Sequence, residues 1–209
     1  MSYTVVDNFS RYAKRVRDSA IASGFGTWAP NKGEVGSSIY TGMNFWGEHA
    51  LMVLALGRAF GAPIFPNSMF FRVTNEDTEA AYVHSDREAG EFTAIVYLSE
   101  HEDEYGTGFY RNRRTGLIHM PPFELMRNDL AEFERLKREM VDGNEAEWEL
   151  LDFVRGRFNR CVIFDAPLFH ARRPKTGFAA TPEDGRLVWV AHFTSAAVLD
   201  SLVKDSERE

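Results

Sequence analysis

From residue 68 onward the chain is cut into short pieces. SMFFRVT, FTAIVYLS, GTGFYRN, CVIFDAP and RLVWVAHFT are runs rich in β-branched and aromatic residues, separated by turn formers. Runs of this length and spacing predict an all-β sandwich or barrel. One helical insert interrupts them, PFELMRNDLAEFERLKREM (122–140). Pro121-Pro122 opens it, and a polar turn and EAEWELLDFV follow it.

Ahead of the β region, TVVDNF reads as a short strand followed by a helix cap, with Asp7 or Asn8 as the N-cap. Apolar positions 9, 12, 13, 16, 20 and 21 then recur at helical spacing. HALMVLALGRAFG (49–61) is a second helix ended by glycine. Residues 24–47, rich in Gly, Ser and aromatics, have no periodicity and predict a long loop. Long ordered loops often border binding sites, so Trp28 and Phe45 are expected at the mouth of a pocket. With 44% hydrophobic residues and 17 Phe in 209 positions, the chain can bury one sizeable core. No domain boundary is visible, so residues 1–209 are read as a single domain with core strands over about 68–195.

Chemistry-bearing residues sit at the edges of these runs. In YVHSDREAGEFTAIVYLSE (82–100), His84 and Asp86 are two apart, so on extended chain they share a face. Alone, the pair is either two ligands for one cation or a polar, hydrogen-bonded bend. His170 ends the run CVIFDAPLFH, and Arg186 opens GRLVWVAHFT. Two histidines and one carboxylate form a facial set that leaves three positions open on an octahedral ion, as non-haem Fe(II) oxygenases require. His170 has a rival reading as a core histidine bonded to Asp165. Arg186 shares a strand face with Val188, Val190 and His192, and a cation in that row needs a buried anion. Its rivals are Arg172 and Arg173, which lie in the loop-like ARRPKTG. Tyr97, on one face with Thr93 and Ile95, is either a ligand contact or an ordinary strand tyrosine. His49, His101 and His119 read as surface or packing residues.

On these residues the chain resembles the 2-oxoglutarate- and Fe(II)-dependent oxygenases, most closely their prolyl-hydroxylase-like branch. The matching motifs are His84-Ser85-Asp86, the distal His170, Arg186 on the last strand, Tyr97 in TAIVYLS, and the glycine-rich step GTGFY. The resemblance implies a double-stranded β-helix (jelly roll) with flanking N-terminal helices and a helical insert between core strands. It implies Fe(II) held by His84, Asp86 and His170. It also implies 2-oxoglutarate docked on Arg186 with a Tyr97 contact, and O2 as oxidant. The activity implied is hydroxylation of an amino acid, peptide or small metabolite coupled to 2-oxoglutarate decarboxylation. Two departures stand out: Ser99 replaces the usual Asn after Tyr-Leu, and Arg-Leu-Val replaces Arg-x-Ser at 186–188. Competing readings are a cupin-like isomerase or dioxygenase that uses no 2-oxoglutarate, and a non-catalytic jelly-roll binding module.

A net charge of −7 disfavours a duplex nucleic-acid partner. The basic stretches YRNRRTG (110–116) and ARRPK (171–175) are either solvated loop charge or a positive rim that steers a small anion. No stretch approaches ~18 uninterrupted apolar residues, and the N-terminus lacks a signal core. The single cysteine, Cys161, lies in an apolar run, which suits a reducing cytoplasm.

Overall fold

The protein is described by a computed structural model covering residues 1–28, 38–41, 46–74, 83–100, 105–127, 129–141, 144–174 and 183–197. The large sheet is built around three runs that read as nearly continuous hydrophobic sequence: β5 (Phe92–Tyr97), β8 (Arg160–Asp165) and β10 (Arg186–Ser195). Such runs form strands buried on both faces. β1 (Tyr3–Val6) flanks β8, and β4 (Ile64–Thr74) flanks β10, followed by β3 (Ser38–Thr41) and β2 (Phe25–Trp28). The order is β1-β8-β5-β10-β4-β3-β2, and the pairs are antiparallel. A second antiparallel sheet has the order β7-β6-β9, from β6 (Gly106–Asn112), β7 (Trp148–Arg155) and β9 (His170–Arg173).

Alternation along the strands sorts side chains into three apolar layers. Ile95, Tyr97, Val162, Phe164, Val188 and Val190 face Phe109 and Val154 across the gap between the sheets. The opposite face of the large sheet, with Val96, Ile163, Trp189 and Phe193, is covered by helices α1 (Ala13–Ala22) and α2 (Trp46–Phe60). These contribute Val16, Ala20, Met52 and Leu56. Between β6 and β7 come the short α3 (Phe123–Met126) and α4 (Leu130–Val141), and Leu136 of α4 packs on Tyr110, Trp148 and Phe169 outside the small sheet. The architecture is a mainly β, jelly-roll-like sandwich clad by helices.

Several local expectations change. Residues 25–28 and 38–41, read as loop, are short strands at one end of the large sheet, β3 paired to β4 and β2 paired to β3 at the edge, held by that pairing rather than by their own pattern. Phe45 lies outside the described residues, as does the side chain of Trp28. Asp7 and Asn8 do not cap α1, which begins at Ala13. Asp7 instead accepts from Arg160 Nε and Nη2 at 2.6 and 2.9 Å, and Asn8 takes a left-handed φ of 52°.

The basic turn 110–116 is not a free rim. Arg114 Nε donates to Glu139 Oε1 at 2.7 Å and also engages Glu132, while Arg111 meets Glu149 at 3.3 Å. Arg113 donates to the Trp148 carbonyl at 3.2 Å. Glu139 is 6% exposed and also accepts from Asn112 Nδ2 at 2.9 Å, so it locks α4 onto the small sheet. Burial would raise its carboxyl, but the Arg114 and Asn112 bonds outweigh that and hold it below the usual value. Glu139→Ala leaves buried donors unmatched and costs about 3 kcal/mol at neutral pH. Because its folded value is depressed, this contribution is complete above the unfolded carboxylate value of ~4.3 and is lost progressively as pH falls from there through the lower folded value. The stability gap between wild type and variant, read from melts at pH 7 and about pH 3, should therefore narrow at the lower pH.

Candidate metal centre

The segment carrying His84 and Asp86 is stitched to the chain just before β9. His84 N–H donates to the His170 carbonyl and His170 N–H to the His84 carbonyl, both at 2.9 Å. Asp86 N–H donates to the Ala166 carbonyl at 2.9 Å, and the Asp86 carbonyl accepts from Ala89 N–H at 2.8 Å at the start of a 3-10 turn over Arg87–Ala89. These bonds bring two residues distant in sequence into register, with ring centroids of His84 and His170 4.3 Å apart.

His84, Asp86 and His170 converge, each offering a ligand atom within 4.8 Å of the others. His84 Nε2 lies 3.6 Å from Asp86 Oδ1, and His170 Nε2 lies 3.3 Å from Oδ2. Bonds of ~2.1 Å to one ion would draw such a set closer. His170 Nδ1 donates to the Leu168 carbonyl at 2.9 Å, which orients the ring with Nε2 toward Asp86. That bond, and not one to Asp165, holds the ring. Burial alone would raise the Asp86 carboxyl, but the His170, His192 and His84 imidazoles outweigh it and hold the group well below the ordinary value. The donor set is the two-imidazole, one-carboxylate set that suits non-haem Fe(II).

A fourth residue joins the cluster. His192 Nε2 stands 3.3 Å from Asp86 Oδ2. Alternation on β10 puts His192 on the face of Arg186, and the β5 register sets Thr93 opposite it. That register is what a single sequence does not reveal.

At the other end of β10 lies a cationic region. Arg186 is 4% exposed, its guanidinium carbon sits 5.8 Å from the Tyr97 ring centroid, and burial pushes its pKa down. The described residues offer no hydrogen-bond acceptor to its Nε. Ser99 stands where the resemblance to the oxygenases implies an Asn. Its Oγ accepts from Leu187 N–H at 2.7 Å and donates to the Gly185 carbonyl at 3.0 Å, pinning the chain on both sides of Arg186. The Tyr97 hydroxyl is paired with Thr107 Oγ1 at 2.7 Å, and burial raises its pKa to about 12.

Arg172 and Arg173 are in strand β9, not in a loop. Arg173 Nη1 donates to the Tyr110 hydroxyl at 3.3 Å, in the outer layer. Arg172 is buried opposite Thr107, and burial together with the Arg186 and Arg72 charges pushes its pKa down to about 9. His49 is a packing residue, accepting from Trp189 Nε1 at 2.9 Å and stacked on Phe71. His119 is half-buried in a short bridge to Leu168, and His101 lies outside the described residues.

Fold and site together define a jelly-roll-like protein with a two-histidine, one-carboxylate cluster. Solved structures share the fold. HygX from Streptomyces hygroscopicus, with nickel and 2-oxoglutarate bound, is 14% identical with a TM-score of 0.58, over 93% of this chain and 83% of its own. The non-haem α-ketoglutarate-dependent carbocyclase SnoK of nogalamycin biosynthesis is 15% identical with a TM-score of 0.56, over 93% and 79%. The epimerase SnoN of the same pathway is 15% identical with a TM-score of 0.53, over 93% and 78%. No curated protein matches the chain at a significant level. The chain belongs to DUF6445, a family of unknown function whose model matches residues 58–193.

Proposed function

We propose that this protein is an Fe(II)- and 2-oxoglutarate-dependent oxygenase that hydroxylates a small molecule. The observation that carries the reading is the convergence of His84, Asp86 and His170 beside His192 at one end of β10, with buried Arg186 at the other. His84, Asp86 and His170 would hold the metal. Arg186 takes the far carboxylate of 2-oxoglutarate as a bidentate guanidinium partner. Tyr97 forms the floor under that guanidinium and, through the hydroxyl pair with Thr107, lines the carboxylate end. Fe(II) with bound 2-oxoglutarate supplies the activation of O2 that yields succinate, CO2 and an oxidised substrate. The protein's own work is to orient the dicarboxylate along β10 and to exclude water with the apolar layer of Ile95, Val188 and Val190.

Structures of the same fold include a carbocyclase, an epimerase and HygX with hygromycin B bound. They support a small-molecule substrate over a peptidyl one. The buried Arg186 favours 2-oxoglutarate over a cupin-like reaction without it, because such a reaction leaves that cation with nothing to bind. Tyr97 and the GTGFY strand support placement in the prolyl-hydroxylase-like branch, with residues 1–209 as one catalytic domain. Among the described residues no helix is long and apolar enough to cross a membrane. The buried thiol of Cys161, raised by burial, suits a cytoplasmic setting.

The test is succinate release from 2-oxoglutarate with Fe(II) and ascorbate under air. Slow substrate-free release that disappears in Asp86→Ala supports the reading. Metal-loaded protein that neither consumes nor binds 2-oxoglutarate overturns it.

A further inference from the structure

The Oδ2 atom of Asp86 is crowded. Thr93 Oγ1 donates to it at 2.9 Å, and the Nε2 atoms of His170 and His192 each lie 3.3 Å away. His170 Nε2 is taken by the metal in the reading above, whereas His192 Nε2 is just beyond the usual N–H···O range and close enough to tighten. An ionised carboxylate oxygen can only accept, so the His192 Nε2 facing Oδ2 serves as the donor, and the Ser68 hydroxyl 2.7 Å from Nδ1 can then donate to the other nitrogen. A hydroxyl donating to Nδ1 leaves the ring proton on Nε2. The His192 side chain is 12% exposed and its ring packs on Phe70 at 5.9 Å, so few other orientations are open to it.

The backbone is shaped around this contact. The β10–β4 register slips between His192 and Phe193, leaving Asn67 as an extra residue on β4 directly after the position paired with Phe193 and before Ser68. Such bulges re-aim side chains beside active sites. Asn67 Nδ2 donates to the Ala89 carbonyl at 3.0 Å and reaches Thr194 Oγ1 at 3.2 Å. Ala89 ends the 3-10 turn that Asp86 begins. The bulge thus holds both the backbone after Asp86 and the ring facing its carboxylate.

We propose that His192 is a positioning residue: oriented by Ser68, its Nε2–H engages Asp86 Oδ2 together with Thr93, leaving Oδ1 to bind the metal with His84 and His170. This rests on the metal-site reading above. With Oδ2 held by two donors, Asp86 binds through one oxygen, and the open positions that a co-substrate and O2 need are preserved. Partners of this kind typically change metal affinity 10–100-fold.

The test uses the full chain stripped of metal and titrated with Co(II) by calorimetry, with absorption spectra of the loaded forms. His192→Ala should weaken Co(II) 10–100-fold. His192→Gln, whose amide can still donate, should recover most of that loss, and Ser68→Ala should cost a few-fold. Metal-free melting temperatures should stay near wild type. Three results overturn the proposal. His192→Ala can bind Co(II) within twofold of wild type. His192→Gln can fail as badly as alanine while Ser68→Ala is silent. The Co(II) bands can move in His192→Gln, which would make His192 a ligand. A wild-type chain that takes up no Co(II) overturns the metal-site reading and this proposal with it.

Discussion

His170→Ala and His84→Ala each abolish metal binding and 2-oxoglutarate turnover, and leave the fold standing. Each removes one of the three proposed ligands, so the loss should exceed the ~100-fold that an outer partner can cost. The two variants should differ in stability. His170 is 3% exposed and packs edge-on against Phe164 at 4.6 Å, so its truncation leaves a cavity and costs about 1–3 kcal/mol. The His84 side chain is 29% exposed and its truncation should cost less. Circular dichroism establishes that each variant is folded, and calorimetric titration with Fe(II) or Ni(II) reads the metal. A folded His170→Ala that binds metal like wild type would remove that residue from the site.

Arg186→Ala raises the apparent KM for 2-oxoglutarate at least tenfold and changes metal affinity little. Truncating one partner of a buried charge pair costs ~2–5 kcal/mol, about one and a half to three and a half decades of affinity. Arg172→Ala should give a smaller rise, because Arg172 shares the buried cationic region without sitting over Tyr97. Arg173→Ala should be silent, since its guanidinium is spent on Tyr110 in the outer layer. Tyr97→Phe removes one neutral hydrogen bond, worth about 1 kcal/mol. Should Arg172→Ala carry the large defect and Arg186→Ala none, the carboxylate is anchored from β9.

The strands flanking the site were legible because they are buried on both faces. β5, β8 and β10 serve the inter-sheet layer with one set of side chains and the α1–α2 layer with the other, so each reads as a near-continuous apolar run. β7 hides in the sequence because it is an edge strand whose residues 149–153 are only partly buried or exposed, giving WELLDFVR no clean alternation. β2 and β3 hide for a related reason: four residues apiece, they depend on pairing that no local pattern encodes. At the site, His84, Asp86 and His170 could be named from residue type and strand edges. Their meeting depends on a reciprocal backbone bridge between residues 84 and 170 that only the fold supplies. Arg172 was misplaced because a run of basic residues before a proline looks like loop, whereas here it is a buried strand. The reach of His192 to Asp86 depends on strand register and on the bulge at Asn67, both invisible to periodicity.

The central claim is that one site binds metal and 2-oxoglutarate together, with the metal required for the co-substrate. Calorimetric titration of 2-oxoglutarate into the full chain, metal-free and loaded with Ni(II), addresses it without knowledge of the substrate. The expected result is one molecule bound per chain in the loaded form, at least ~100-fold weaker binding without metal (about 2.7 kcal/mol), and loss of binding in His170→Ala. Equal affinity with and without metal, or none with metal present, would contradict the account.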